Sequence, residues 1–273
     1  MVTDPRRRDV HRRKRGKGGL VTAIISVVVV ALVVAIVALW PRPQEEVAVQ
    51  SPSPSATPSE SPTPTPTPTP TFDKTQLSID DPSSVWVVVN KLRPLNPQDY
   101  AAPDLVDVPV KEANPAVLRK EAADAVVAMF AQFTAETGLE MQNQSAYRSY
   151  STQVSVYNGW VNKLGQAGAD ATSARPGFSE HQTGLALDIS SVPAVCALDQ
   201  CFADTPAGQW LAANAYKWGF ILRYPNGMDA ITGYEFEPWH YRYVGVALAT
   251  EMHDEGVATL EEFFDLPPAP TYG

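Results

Sequence analysis

The pattern of hydrophobic and polar positions divides the chain into three regions. Residues 20–40 contain no charged side chain, and only Thr22 and Ser26 carry hydroxyl groups in a run of apolar residues. Residues 41–72 are rich in proline, serine and threonine and include a strict Pro-Thr alternation. Only residues 73–273 repeat apolar positions at the periods of strands and helices, so this region is predicted to contain the folded core.

The uncharged run is long enough to cross a membrane as one helix. About 20 apolar residues span the hydrocarbon core of a bilayer, whereas the apolar region of a cleaved secretory signal is about 7 to 15 residues long. The run ends in Ala-Leu-Trp-Pro, which is a poor cleavage site. We therefore predict a transmembrane signal anchor at 19–40, in contact with the lipid bilayer through residues 20–40. A cleaved signal peptide is the alternative.

Charge is distributed unevenly around this run. Residues 1–18 carry eight Lys or Arg residues and two Asp residues, whereas the whole chain has a net charge of -9. A basic flank is retained in the cytoplasm, which places the acidic C-terminal region outside the cell. The prediction is a single-pass protein of the cell membrane with a cytoplasmic basic tail at 1–18. A nucleic-acid partner is not expected, because the basic cluster is explained by the anchor beside it.

The Pro/Ser/Thr-rich linker at 41–72 has too few apolar residues to form a core. Such a segment favours the extended polyproline II conformation, at ~3.1 Å per residue. It is predicted to be a disordered stalk with a reach on the order of 90 Å. A stalk would hold a membrane-tethered domain near a cell-wall substrate, although a simple spacer fits the composition equally well.

Residues 73–273 predict a mixture of strands and helices without regular alternation. The predicted strands lie at 85–90, 139–146, 220–224 and 234–244, with a short strand ending at Asp188. The predicted helices begin at Asn114-Pro115 and at 151, 204, 247 and 260, and the first three are followed by glycine at 138, 165 and 219. This mixture indicates an α+β fold.

Two short motifs contain the residue types of a metal site. The segment 179–188 places His181 and Asp188 seven positions apart, and His240 ends the segment Glu237-Pro-Trp-His. Two neutral imidazoles and a carboxylate form a typical ligand set for a catalytic zinc ion, whose fourth position is open to water. Glu237 is then a spare carboxylate that is available as a base.

The spacing of these residues favours this site over others. The chain has four histidines, and the other two lie in the basic tail and in a polar segment, as His11 and His253. The chain lacks the HExxH motif in which both histidine ligands share a helix. Residues three apart in a regular strand face opposite sides, so Glu237 and His240 require a bend, and Pro238 is a plausible cause.

The two motifs, Ser-x-His-x-x-Gly-x-Ala-x-Asp and Glu-x-x-His, resemble those of VanY-like D-alanyl-D-alanine carboxypeptidases. These are zinc peptidases of bacterial cell-wall metabolism, and the resemblance extends over about Trp86 to Leu260. It implies a small antiparallel sheet with flanking helices, as in lysostaphin-type enzymes and the hedgehog signalling domain. It also implies one zinc ion per domain and a catalytic base at Glu237.

The resemblance implies further site residues. Arg148, in Ser-Ala-Tyr-Arg-Ser-Tyr, matches the family segment that supplies a cation for the oxyanion or for the substrate carboxylate. The alternative to a catalytic role is a surface salt bridge for Arg148 and an ordinary surface carboxylate for Glu237. The remaining residues implied as substrate-binding are Gln153, Ser179, Trp239 and Ser173.

Cys196 and Cys201 are separated by four residues in a region predicted to be exported. A disulfide bond is the expected state in such a compartment. Zinc binding by this pair has little support, because the other ligand candidates lie elsewhere.

The predicted function is that of a membrane-anchored zinc D,D-carboxypeptidase. It would hydrolyse the terminal D-Ala-D-Ala bond of peptidoglycan stem peptides, and it is expected to be monomeric. An L,D-carboxypeptidase or an endopeptidase on the same substrate class is the nearest alternative. A non-catalytic cell-wall peptide-binding protein is the third, although a pure binder would not need Glu237 beside the metal.

Overall fold

A computed structural model describes residues 72–273, in which short strands and helices alternate irregularly. The strands are β1 (Leu105–Asp107), β2 (Val117–Arg119), β3 (Glu140–Ser145), β4 (Ala186–Val192), β5 (Phe220–Leu222) and β6 (His240–Tyr243). The α-helices are α1 (Lys120–Thr137), α2 (Tyr150–Thr172), α3 (Pro206–Asn214), α4 (Asp229–Thr232), α5 (Val246–Glu255) and α6 (Leu260–Phe263). Short 3-10 helices lie at Glu180–Thr183, Gln200–Asp204 and Ala215–Trp218.

The main sheet has four antiparallel strands in the order β3-β4-β6-β5, and β1 and β2 form a separate antiparallel pair. Along β4, Leu187 and Ile189 are buried in the hydrophobic core, whereas Asp188 faces the other side. The predicted α+β class with a small antiparallel sheet and flanking helices is confirmed for these residues.

Helix α1 covers the core side of the sheet with Val126, Met129 and Phe133, and it ends at Gly138 in the left-handed conformation (φ 70°). The prediction that this helix begins at Asn114-Pro115 is wrong, because it begins at Lys120. The three residues before it form β2 and pair with β1. Strand pairing with a distant segment therefore overrides the local helix-start signal.

The predicted strand at 85–90 is also absent from the sheets. Trp86, Val87, Val88 and Val89 are all buried, so the apolar pattern correctly indicates burial. However, the carbonyl oxygens of Val85 and Val87 accept hydrogen bonds from the Arg242 side chain instead of from a neighbouring strand. Side chains thus satisfy part of the hydrogen-bonding capacity of this backbone.

Three other element boundaries differ from prediction, and the first is the strand predicted to end at Asp188, which runs from Ala186 to Val192. The helix predicted to end at Gly165 is interrupted there (φ 73°, ψ 169°), but helical structure resumes and continues to Thr172. The strand predicted at 234–244 begins only at His240. The strand predicted at 139–146 and the helices predicted from 204, 247 and 260 are present, with small shifts at their ends.

Cys196 and Cys201 form the predicted disulfide bond. The predicted tail (1–18), anchor (19–40) and nearly all of the linker (41–72) lie outside the described residues, so those assignments stay predictions. Within residues 72–273, every helix is too short or too polar to span a bilayer.

Candidate metal centre and active-site cleft

The structure brings His181, Asp188 and His240 together. Each offers one donor atom, these atoms all lie within 4.8 Å of one another, and all three residues are buried. His181 lies on the 3-10 helix Glu180–Thr183, which Gly184 ends in the left-handed conformation (φ 71°). Asp188 and His240 lie on the adjacent strands β4 and β6.

A backbone contact fixes the orientation of His181. Its Nδ1 atom lies 2.7 Å from the carbonyl oxygen of Ala146, so Nδ1–H donates to that carbonyl. The Nε2 atom therefore carries the free lone pair, and it lies 3.4 Å from Oδ2 of Asp188. A hydrogen bond of this kind to the second ring nitrogen is characteristic of metal-binding histidines.

A carboxylate orients His240, and its two ring nitrogens have the reverse of their roles in His181: Nε2 donates and Nδ1 faces Asp188. Its Nε2 atom lies 3.3 Å from Oε2 of Glu180, to which it donates, and its Nδ1 atom lies 3.2 Å from Oδ1 of Asp188. Two imidazole lone pairs thus face the same carboxylate.

Asp188 provides the test of whether these residues fit a metal. Its Oδ1 atom is buried and makes no hydrogen bond within the described residues, despite the nearby imidazole. A buried carboxylate oxygen without a donor is costly unless a cation satisfies it. One carboxylate and two correctly oriented imidazoles are the donor set of a catalytic zinc site, so the residues fit zinc.

Glu237 reaches this site through a tight turn. The backbone N–H of His240 donates to the carbonyl of Glu237 (3.0 Å), which closes a turn with Pro238 and Trp239 at its centre. Proline suits the second position of such a turn. The predicted bent strand is therefore wrong: a turn before β6 places the Glu237 carboxylate 3.7 Å from Nδ1 of His240.

The electrostatics of the site are set by burial and by neighbouring charges. Burial raises the pKa of Glu237 to about 7, with Asp188 reinforcing this shift and His240 opposing it. Burial lowers the pKa of His181 to about 4, and Arg148 adds to the effect. Burial alone would lower the pKa of His240, but the neighbouring carboxylates of Asp188 and Glu180 raise it to about 9. A carboxyl group with a pKa near neutrality suits the exchange of protons.

Arg148 lies beside the metal ligands and is held by its neighbours. Its backbone N–H donates to the carbonyl of His181 (3.1 Å), and its guanidinium donates to Oε1 of Gln153 (3.0 Å). The Gln153 amide donates in turn to the Ser173 hydroxyl (3.3 Å) and to the carbonyl of Ala174 (2.7 Å). Gln153 is fully buried, so it supports Arg148 from behind instead of lining the cleft.

A cleft of about 750 Å³ opens over these residues. Ser173, Ser179 and Trp239, implied by the resemblance as substrate-binding, line it together with the ligands, Glu237 and Arg148. The disulfide-closed loop contributes Leu198, Asp199 and Gln200 to one wall. The aromatic residues of the cleft are Trp160, Tyr224, Tyr234, Phe236 and Trp239.

Sequence reasoning missed Glu180 and two arginines behind the site. The sequence signal that could have identified Glu180 is its position immediately before the metal ligand His181. Arg223 and Arg242, which lie within the predicted strands 220–224 and 234–244, are fully buried, although arginines are usually exposed. Nothing in the local sequence indicates that they face Glu180.

Comparison with known proteins gives a consistent assignment. The sequence model of the family described as VanY, D-alanyl-D-alanine carboxypeptidase, matches residues 115–246. The chain is 42% identical to YodJ of Bacillus subtilis (strain 168) over 192 residues, which cover 69% of this chain and 70% of that protein.

Two solved structures are similar to the described fold. The first is the LD-carboxypeptidase LdcB, at 43% identity and a TM-score of 0.63, covering 67% of this chain and 87% of that one. The second is a mutant of the vancomycin-resistance D,D-pentapeptidase VanY from a VanB-type cassette, in complex with Zn(II), at 30% identity and a TM-score of 0.54. That match covers 66% of this chain and 98% of the other. The chain therefore belongs to the VanY family of D-alanyl-D-alanine carboxypeptidases.

Proposed function

We propose that this protein is a zinc carboxypeptidase that removes the C-terminal residue from peptidoglycan stem peptides. One observation carries the proposal: a buried His-Asp-His donor set lies in a cleft with a carboxylate, Glu237, 3.7 Å from one ligand nitrogen. A site that only bound peptides would not need an acceptor for protons at this position.

The chemistry follows from the residues around the donor set. When bound by His181, Asp188 and His240, zinc supplies a Lewis acid that polarises a carbonyl group and makes water more acidic. Glu237 accepts a proton from the attacking water and delivers it to the departing amine. Burial supports this role, because it raises the pKa of the Glu237 carboxyl group to about 7.

Arg148 supplies the fixed positive charge. Its Nε atom is buried and makes no hydrogen bond within the described residues, so a donor remains for a substrate oxygen. Gln153 holds the guanidinium from the other side. The planar fork of an arginine suits the free carboxylate of a peptide or the oxyanion of the tetrahedral intermediate.

Two bonds are candidates for cleavage. The terminal D-Ala-D-Ala bond is the predicted one, and the likeness to the D,D-pentapeptidase VanY supports it. The L,D bond of a tetrapeptide stem is the second candidate. The higher identity and TM-score of the LD-carboxypeptidase LdcB favour this alternative.

The enzyme acts outside the cell, tethered to the membrane as a monomer by the anchor at 19–40. The uncharged run, its basic flank and the Pro/Thr stalk support the membrane tether and its orientation. The expected result is that the full chain sediments with membranes. Recovery of protein that begins near Pro41 from culture medium would instead indicate a cleaved signal peptide.

One experiment separates the candidate activities. The detergent-solubilised full chain is incubated with tetrapeptide and pentapeptide stems, with and without a chelator, and the products are identified by mass. Release of D-alanine from the pentapeptide alone indicates D,D cleavage, and release from the tetrapeptide indicates L,D cleavage. Binding of both peptides without any chelator-sensitive release would contradict the proposed enzyme and favour a binding protein.

A further inference from the structure

Glu180 lies behind the metal centre, between a ligand and two buried arginines. Its side chain has no solvent exposure, and neither do those of Arg223 and Arg242. The site chemistry described above does not use this carboxylate. Because it is shielded from solvent, it is poorly placed to act on a substrate.

The two oxygens of Glu180 have separate partners. Oε1 accepts from Nε of Arg223 (2.8 Å) and from a terminal nitrogen of Arg242 (2.9 Å). Oε2 lies 3.3 Å from Nε2 of His240, which donates to it. The arginines thereby fix the plane of the carboxylate, and the carboxylate in turn fixes the imidazole.

Arg242 is itself anchored to distant backbone. Its guanidinium donates to the carbonyl oxygens of Tyr243 (2.9 Å), Val85 (3.0 Å) and Val87 (2.8 Å). The segment at 85–90 is therefore linked to the metal ligand His240 through Arg242 and Glu180.

Arg223 connects the same carboxylate to helix α6. It forms a bidentate ion pair with Glu261 at 2.7 and 3.0 Å, and Glu261 also accepts from the side chain of Asn90 (2.9 Å). Two glutamates and two arginines thus form a charge-balanced network with no side-chain exposure. Removal of one partner from such a network leaves a buried charge without compensation.

We propose that Glu180 is a positioning residue for zinc, which holds His240 with Nδ1 directed toward Asp188 and toward the metal. This inference rests on the proposed zinc site. A carboxylate on the second ring nitrogen fixes the orientation of a ligand histidine and increases its basicity, and its loss typically costs 10- to 100-fold in metal affinity. The network assigns helix α6 and segment 85–90 a supporting role for the metal centre.

The test compares zinc affinity among variants of the full chain. Glu180→Gln removes the charge but keeps the size of the side chain. Glu180→Asp keeps the charge beside the arginines, but we expect the shorter side chain to lose the contact that Glu180 makes with His240 at 3.3 Å. Glu261→Gln is the matched control, because it makes the same charge change in the same network without contacting a ligand.

Zinc dissociation constants are measured by competition with a chelator of known affinity, and melting temperatures are measured without metal. The visible spectrum of the Co²⁺-substituted protein reports the ligand geometry independently of stability. Both Glu180 variants are expected to bind zinc 10- to 100-fold more weakly and to show an altered spectrum. Glu261→Gln is expected to lower the melting temperature while zinc affinity and the spectrum change little.

The inference is overturned if Glu180→Asp binds zinc with wild-type affinity. It is also overturned if Glu261→Gln loses as much zinc affinity as the Glu180 variants do. If Glu180→Gln does not fold, the measurement on Glu180→Asp is sufficient, because the aspartate keeps the buried charges balanced. A wild-type protein that binds no zinc would overturn the proposed function itself. These results therefore distinguish a failure of the role proposed for Glu180 from a failure of the proposed zinc enzyme.

Discussion

Asp188 on β4 and His240 on β6 are direct partners in the register of two adjacent antiparallel strands. Side chains of such partners project from the same face of the sheet and lie close together. Their neighbours Leu187 and Tyr241, also partners, project into the core on the opposite face. The spacing of two metal ligands is therefore set by the pairing of the central strands, which the core packing stabilises.

We expect His181→Ala, Asp188→Ala and His240→Ala each to lose bound zinc, because a catalytic site has only three protein ligands. The zinc content of the purified protein measures the effect. His253→Ala is the control, because its half-exposed side chain stacks on Tyr216 away from the site. Full zinc occupancy in His240→Ala would mean that the ligand set is wrong.

Glu237→Gln should retain zinc and the fold but lose most of its turnover. The amide has a similar size, but it does not accept the proton of the attacking water. Loss of a general base typically reduces kcat by 10²- to 10⁴-fold. Glu235→Gln, an exposed residue two positions earlier, should change kcat little. If Glu237→Gln released product at the wild-type rate, Glu235 would become the carboxylate to test as the base.

Arg148→Ala should retain zinc and lower kcat/KM, because it removes the charge that faces the substrate. An increase in KM alone would indicate that the arginine binds substrate and transition state equally, whereas a decrease in kcat would indicate a role in the transition state. Gln153→Ala should cause a smaller loss in the same direction, since it removes only the contact that holds the guanidinium. Unchanged kcat and KM in Arg148→Ala would contradict this role.

The double variant Cys196→Ser, Cys201→Ser should be less stable and should bind substrate more weakly. The disulfide closes a small loop, so the chain-entropy estimate is about 2 kcal/mol of stabilisation. The same loop supplies Leu198, Asp199 and Gln200 to the cleft wall, which should raise KM when the loop is released. Urea unfolding and steady-state kinetics measure the two effects. An unchanged KM would indicate that the loop does not contact the substrate.

Gly184→Ala should destabilise the protein by about 1–2 kcal/mol, because an alanine disfavours the left-handed conformation found there. An added Cβ would also lie 2.7 Å from a side-chain carbon of Leu105. Gly159→Ala is the control: it lies inside α2, and an added Cβ has no neighbour within 4 Å. Equal unfolding free energies for the two variants would contradict the strain at Gly184.

The sequence alone determined the features that depend on local spacing and composition. The ligand trio and Glu237 were identifiable because each lies within a short motif, and the order of residue types in those motifs carries the resemblance to the VanY family. Helix ends at glycine were also predictable, because glycine adopts the left-handed conformation that ends helices at Gly138 and Gly219.

Tertiary structure alone decided the features that depend on partners distant in sequence. Val117–Arg119 becomes a strand because β1 pairs with it, and segment 85–90 stays outside the sheets while Arg242 satisfies two of its carbonyl groups. Glu180 faces Arg223 and Arg242 across 43 and 62 residues of sequence, respectively. The physical reason is that a buried charge is tolerated only with an opposite charge beside it, and folding alone determines which residues become neighbours.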